Sequence, residues 1–263
     1  MVTLIDKTID TRLGQVSYGE TGSGPPVVIL HSLLTDRSSF DAVLAGLPGR
    51  VAVLDLPGFG TTDQAEPDLI DYAGHMAAAV EVVGDGAPVT LVGNGLGAFV
   101  ALALATERPD LVGKLILVGC GVGFPEAAKG AFVNMAAAVQ DGGMAAVVPT
   151  ALRRIFTEDY LATHEEETAA RTDVLLRTDP VAFVSACRGL ERLDLTDRVG
   201  RVTAPTLIVV GEEDAATPPA LAADLQGRIL GSQMVVLPGL AHAPQIQDPG
   251  AFLRAIVPFM EVA

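Results

Sequence analysis

Residues Pro88-Val-Thr-Leu-Val-Gly93-Asn94-Gly95-Leu96-Gly97-Ala-Phe-Val-Ala-Leu-Ala-Leu104 decide the fold. They read as a short apolar strand, a turn punctuated by glycines, then a helix apolar on every side. Such a strand is buried on both faces. The turn fits the strand–turn–helix elbow Gly-x-Ser-x-Gly, which presents a nucleophile at its centre. In this chain Gly95 stands in the serine slot, and a glycine has no side chain with which to attack. The elbow forces its central residue into a conformation that most L-residues resist. Glycines on either side let strand and helix approach without Cβ clashes. The Leu96 N–H then lies at a helix N-terminus, where it stabilises negative charge.

The same residues fit a second pattern, since Gly93-x-Gly95-x-x-Ala98 matches a dinucleotide fingerprint. That pattern needs a carboxylate at the end of the next strand to hold a ribose. The next strand, Lys114 to Val118, ends in Gly119-Cys120-Gly121. The fingerprint also usually opens its domain, and here several elements come first. No nucleotide or other cofactor is expected, and no metal.

Outward from the elbow, strands and helices alternate. Leu4–Ile9 and Gln15–Gly19 read as an opening hairpin. Pro26–Leu30 and Val51–Leu54 are apolar strands, separated by a short helix over Ser39–Leu47. Leu69–Val83 is helical. After Val118 the alternation stops. Residues 123–193 carry helical patterns over Lys129–Val139, Met144–Phe156, Glu165–Leu176 and Val181–Glu191. It resumes with strand Thr206–Val210, helix Pro219–Ile229, strand Gln233–Leu237 and helix Gly250–Phe259. This order implies an α/β fold with a mostly parallel sheet and helices on both faces. Residues 1–122 and 194–263 form its core, and 123–193 an inserted helical cap.

Open α/β sheets place their sites at the carboxyl ends of strands. Asp214 follows one such end, in Gly211-Glu212-Glu213-Asp214-Ala-Ala-Thr217, and His242 follows the next, in Pro238-Gly-Leu-Ala-His242. Elbow, acid, histidine is the chain order of a nucleophile–acid–base triad on such a sheet. Alone, an Asp in a loop is usually a turn residue and a His a bystander. In this order, each at a strand end, they read as an acid–base pair facing Gly95.

Composition narrows the partners. The 263 residues are 49 % hydrophobic but only 5 % aromatic, without Trp, so Ala, Val and Leu build the core. A net charge of −15 disfavours nucleic acid and anionic membranes as partners. Two cysteines suggest neither a metal site nor a disulfide framework. Residues Met1–Lys7 lack an apolar run of signal-peptide length, and no stretch is long enough for a spanning helix. A cytoplasmic protein acting on a small molecule is expected, with no oligomeric state indicated.

On the elbow, Asp214 and His242, the chain resembles the α/β-hydrolase superfamily over essentially its whole length. Size and the segment Asp214-Ala-Ala-Thr-Pro-Pro219 make it similar to 3-oxoadipate enol-lactonases and related small ester and lactone hydrolases. The resemblance implies the acid role for Asp214, the base role for His242, and an oxyanion hole from the Leu33 and Leu96 N–H groups. Ser32, before Leu33, departs from the His-Gly of many relatives; it reads as a substrate contact or a cap of its own turn. Cys120 is a candidate pocket residue. Arg153 and Arg154 are candidates to clamp a substrate carboxylate, or form a solvated helix face. His31 and His75 read as structural and His164 as a surface residue.

Three readings of Gly95 follow. In the first, His242 activates water or takes a proton from substrate, in the volume a serine side chain would fill. In the second, an ordinary serine esterase or lactonase has had its nucleophile replaced by glycine. In the third, the protein binds a ligand or partner without catalysis.

Overall fold

A computed structural model of the protein describes residues 3–261. Its eight strands are β1 (Ile5–Thr11), β2 (Gly14–Gly22), β3 (Pro26–Leu30), β4 (Arg50–Leu54), β5 (Val89–Asn94), β6 (Val112–Val118), β7 (Thr206–Gly211) and β8 (Gln233–Leu237). They form one sheet in the order β1-β2-β4-β3-β5-β6-β7-β8. β2 runs antiparallel to both β1 and β4. The pairs from β4 through β3, β5, β6 and β7 to β8 are all parallel.

The central strands read as continuous apolar runs because both of their faces are covered. Val28 and Leu30 of β3 and Leu91 of β5 belong to one core with α1 (Leu69–Val83) and α2 (Leu96–Glu107). Val27, Ile29 and Val92 belong to the opposite core. There they meet Phe40, Val43 and Leu44 together with Phe252 and Ile256 of the last helix. Burying each such Leu, Ile or Phe contributes about 1.5–3 kcal/mol. Helix α2 is buried from Leu96 through Thr106, which explains why its sequence shows no polar face.

Between β6 and β7 lie five helices: α3 (Glu126–Gly142), α4 (Val148–Ile155), α5 (Glu158–Thr163), α6 (Glu165–Arg177) and α7 (Pro180–Arg192). The core ends with α8 (Pro219–Arg228), the single turn α9 (Pro244–Gln247) and α10 (Pro249–Glu261). Several details differ from the sequence reading, including α5 and α9, which it did not contain. Residues 39–47, expected as one helix, form two 3-10 turns, Arg37–Phe40 and Leu44–Gly46. The pattern over Met144–Phe156 breaks at Val147, because Pro149 fits only the first turn of α4. Among the described residues no helix is long and apolar enough to cross a membrane.

Candidate active site

The elbow forms where β5 meets α2. Gly95 has φ +53° and ψ −119°, a region that disfavours any residue with a Cβ. Its N–H donates to Val118 O at 2.9 Å, tying the turn to β6. A Cβ on Gly93 would lie 2.5 Å from Ala98 Cα, and one on Gly97 would lie 2.6 Å from His31 O. These two glycines let α2 fold back onto β5 and onto the loop after β3. The Gly97 N–H reaches His31 O at 3.0 Å and holds that loop in place. Leu96 is the first residue of α2, so its N–H has no acceptor within the helix.

Four strand ends deliver the side chains. Ser32 follows β3, Gly95 follows β5, Asp214 follows β7 and His242 follows β8. His242 Nδ1 donates to Asp214 Oδ2 at 2.9 Å, and both side chains are buried. With Nδ1 engaged by Asp214, Nε2 is the ring nitrogen left to face the elbow. Asp214 is held by more than His242. Its Oδ1 accepts from Ala216 N–H at 2.9 Å and Thr217 N–H at 2.8 Å, and its Oδ2 from the Thr217 hydroxyl at 2.7 Å. Burial opposes ionisation of this carboxyl. The His242 charge and hydrogen bond, with the Thr217 donors, outweigh burial and keep it below the usual carboxylate range.

Two residues absent from the sequence reading hold the histidine loop. Asn94 donates from Nδ2 to His242 O at 2.9 Å, and Gln245 donates from Nε2 to Asn94 Oδ1 at 3.0 Å. Thr217 is the third omission. Its placement immediately before the proline pair Pro218-Pro219 hints only at a turn.

Ser32 faces His242. Its hydroxyl donates to His242 Nε2 at 3.3 Å, and the residue is almost wholly buried. A Cβ built on Gly95 would overlap that hydroxyl and lie 2.6 Å from His242 Nε2. The space directly above Gly95, expected from the sequence to suit a water, is thus closed by Ser32 and His242. His31 supports this placement. Its Nε2 accepts from Leu56 N–H at 3.2 Å, so its Nδ1 carries the proton and donates to Ser32 O at 2.9 Å.

Ser32, Leu33, Gly95, Leu96 and His242 line a cavity of about 30 Å³. The helices between β6 and β7 roof it with Phe132, Met135, Arg154 and Leu190. Phe124 packs between Phe99 and Phe132, with ring centroids 5.0 Å and 4.7 Å apart. Arg154 forms no ion pair or hydrogen bond with any described residue, and burial pushes its guanidinium below the ordinary range, with the Asp214 charge partly opposing.

The other candidates stand apart. Cys120 does not line the cavity: it is fully buried under the sheet end, donates to Gly121 O, and burial pushes its thiol far above the usual range. Such a thiol is inert. Arg153 points away into solvent, where its Nε pairs with Glu158 at 3.1 Å. Among the described residues no group of three His, Cys, Asp or Glu side chains is placed to hold a metal ion.

The model of the alpha/beta hydrolase family matches residues 27–255. The chain belongs to that family. It is 29 % identical over 255 residues to a pimeloyl-[acyl-carrier protein] methyl ester esterase of Neisseria meningitidis, covering 89 % of this chain and 93 % of the relative. Among solved structures, a thermophilic esterase from Thermogutta terrifontis superposes with a TM-score of 0.87 at 27 % identity, covering 97 % of this chain and 98 % of the other. The enol-lactonase of Burkholderia xenovorans superposes with a TM-score of 0.91 at 24 % identity, covering 97 % and 100 %. The last likeness is one of fold.

Proposed function

We propose that this alpha/beta hydrolase cleaves small carboxylic esters or lactones that carry a negative charge, with His242 as general base and residue 95 contributing only backbone. The observation that carries this reading is the oriented ring of His242, held by Asp214 at Nδ1 and directed at the elbow through Nε2. His242 takes the proton of the attacking hydroxyl. The carbonyl oxygen becomes negative beside the Leu33 and Leu96 N–H groups and the N-terminus of α2. The imidazolium, stabilised by ionised Asp214, then protonates the leaving alkoxide, and water supplies the oxygen retained in the acid product. The names of two relatives described above, a methyl ester esterase at 29 % identity and an esterase at 27 %, support an ester as substrate.

Arg154 supports the charge. A half-buried guanidinium without a partner, among Phe132, Met135 and Leu190, costs stability that an incoming carboxylate offsets. The apolar part of the acyl chain would lie on the three phenylalanines. The intact elbow favours one other reading, a serine hydrolase whose nucleophile has become glycine, which the Gly95→Ser variant discussed below separates.

The test is turnover of p-nitrophenyl acetate, γ-butyrolactone, dimethyl succinate and monomethyl succinate by the purified protein. Hydrolysis above buffer is expected, with monomethyl succinate preferred. Arg154→Met should raise KM for the charged ester by roughly 10- to 100-fold, the worth of a charge-assisted hydrogen bond. Dimethyl succinate should be little affected. No turnover of any of these compounds would favour a binding protein. Equal losses on both succinates would remove the clamp.

A further inference from the structure

We propose that the Ser32 hydroxyl is the nucleophile, displaced from the elbow to the loop after β3, and that hydrolysis passes through an acyl-Ser32 ester. This rests on the assignment of His242 as base. The geometry points to it in three ways.

First, the hydroxyl occupies the space a side chain on residue 95 would enter, since a Cβ on Gly95 would overlap it. Second, it is the group His242 Nε2 contacts, at 3.3 Å, while Nδ1 is engaged by Asp214 at 2.9 Å. Ser32, His242 and Asp214 thus form a hydrogen-bonded relay of nucleophile, base and orienting acid, within the reach expected before substrate tightens it. Third, the anion-stabilising backbone is preserved. The donors proposed above are the N–H groups following positions 32 and 95. Moving the hydroxyl from one position to the other exchanges their relation to the nucleophile but retains both. Glycine at 95 is then required, because any side chain there would drive Ser32 off His242.

The chemistry balances. As the Ser32 Oγ–C bond forms, the hydroxyl proton passes to His242 Nε2. The bond from carbon to the alcohol oxygen breaks, and the departing alkoxide takes that proton. Water then attacks the acyl carbon, gives its proton to His242, and the Ser32 oxygen leaves and recovers it.

The test uses a dialkyl fluorophosphate, in which attack forms an Oγ–P bond and expels fluoride. After incubation, intact mass should rise by one dialkylphosphoryl group, and fragment ions of the tryptic peptide Leu13–Arg37 should place it on Ser32 rather than Ser17 or Ser23. Ser32→Ala should abolish the adduct and lower ester turnover by on the order of 10²-fold or more, with an unchanged melting curve confirming that it folds. Wild-type protein should release p-nitrophenol in a burst of about one equivalent. Labelling needs no substrate, so it judges this proposal even where esters are not turned over. No adduct, an adduct elsewhere, or Ser32→Ala retaining turnover within about threefold would overturn the nucleophile role. Turnover with no adduct would overturn it while leaving the His242 reading standing.

Discussion

At the scale of single residues, the site depends on two positions that depart together from the common pattern. Gly95 removes a side chain from the elbow, and Ser32 brings one in from the neighbouring loop. Their coupling makes Gly95→Ser informative. A side chain at φ +53° and ψ −119° costs about 1–3 kcal/mol. The melting temperature should therefore fall by roughly 2–4 °C for each kcal/mol. The new side chain should also push Ser32 away from His242, so turnover of the best wild-type ester should drop. A gain in that same reaction would instead identify Gly95 as the replaced nucleophile of an ordinary serine hydrolase. Asp214 and His242 are legible in the sequence because each closely follows an apolar strand. Asn94 and Gln245 are not, because they act on the histidine loop through hydrogen bonds between residues far apart in the chain. The orientation of Ser32 is equally hidden, since it depends on a contact between the ends of β3 and β8.

At the scale of elements, the roof over the cavity is fastened to the loop that carries Ser32. Arg171 on α6 is buried, pairs with Glu167 one turn earlier at 2.9 Å, and donates to Ser38 Oγ at 2.9 Å. Asp36 lies 3.8 Å from the same guanidinium. The same roof contributes Phe132, Met135, Arg154 and Leu190 to the cavity beside His242, so the tether bears on where a bound ester would lie. Arg171→Met should keep the apolar stem while removing the tether. It should cost about 1–3 kcal/mol, the penalty of leaving polar partners unmatched, and speed amide exchange in α6. Unchanged exchange there would show that the roof is held by its apolar contacts alone. The core elements are legible because alternation of apolar strands and helices is a strong signal. The roof is less so. α5 is six residues with no buried side chain, begun by Thr157 accepting from Tyr160 N–H, and leaves no apolar period to read. The break before α4 follows from Pro149, which lacks an N–H and is favoured in a helix's first turn, where it stands in α4.

At the scale of the whole molecule, the proposed reaction requires the sheet to bring together residues from distant parts of the chain. The parallel order β3-β5-β6-β7-β8 aligns the carboxyl ends that carry Ser32, Gly95, Asp214 and His242. The fold itself is legible from the elbow outward, and the family comparison agrees with it over residues 27–255. Arg154 is the cationic Lys or Arg side chain that this arrangement brings to a largely apolar cavity containing Ser32, Thr217 and His242. In the proposed mechanism this assembly works through one base, His242. Its most direct test is kcat/KM for the best ester, compared between the wild-type protein and His242→Ala. A fall of about 10²–10⁴-fold is expected, the usual contribution of a positioned general base, with the melting temperature moved by no more than a few degrees. Undiminished turnover by His242→Ala would contradict it.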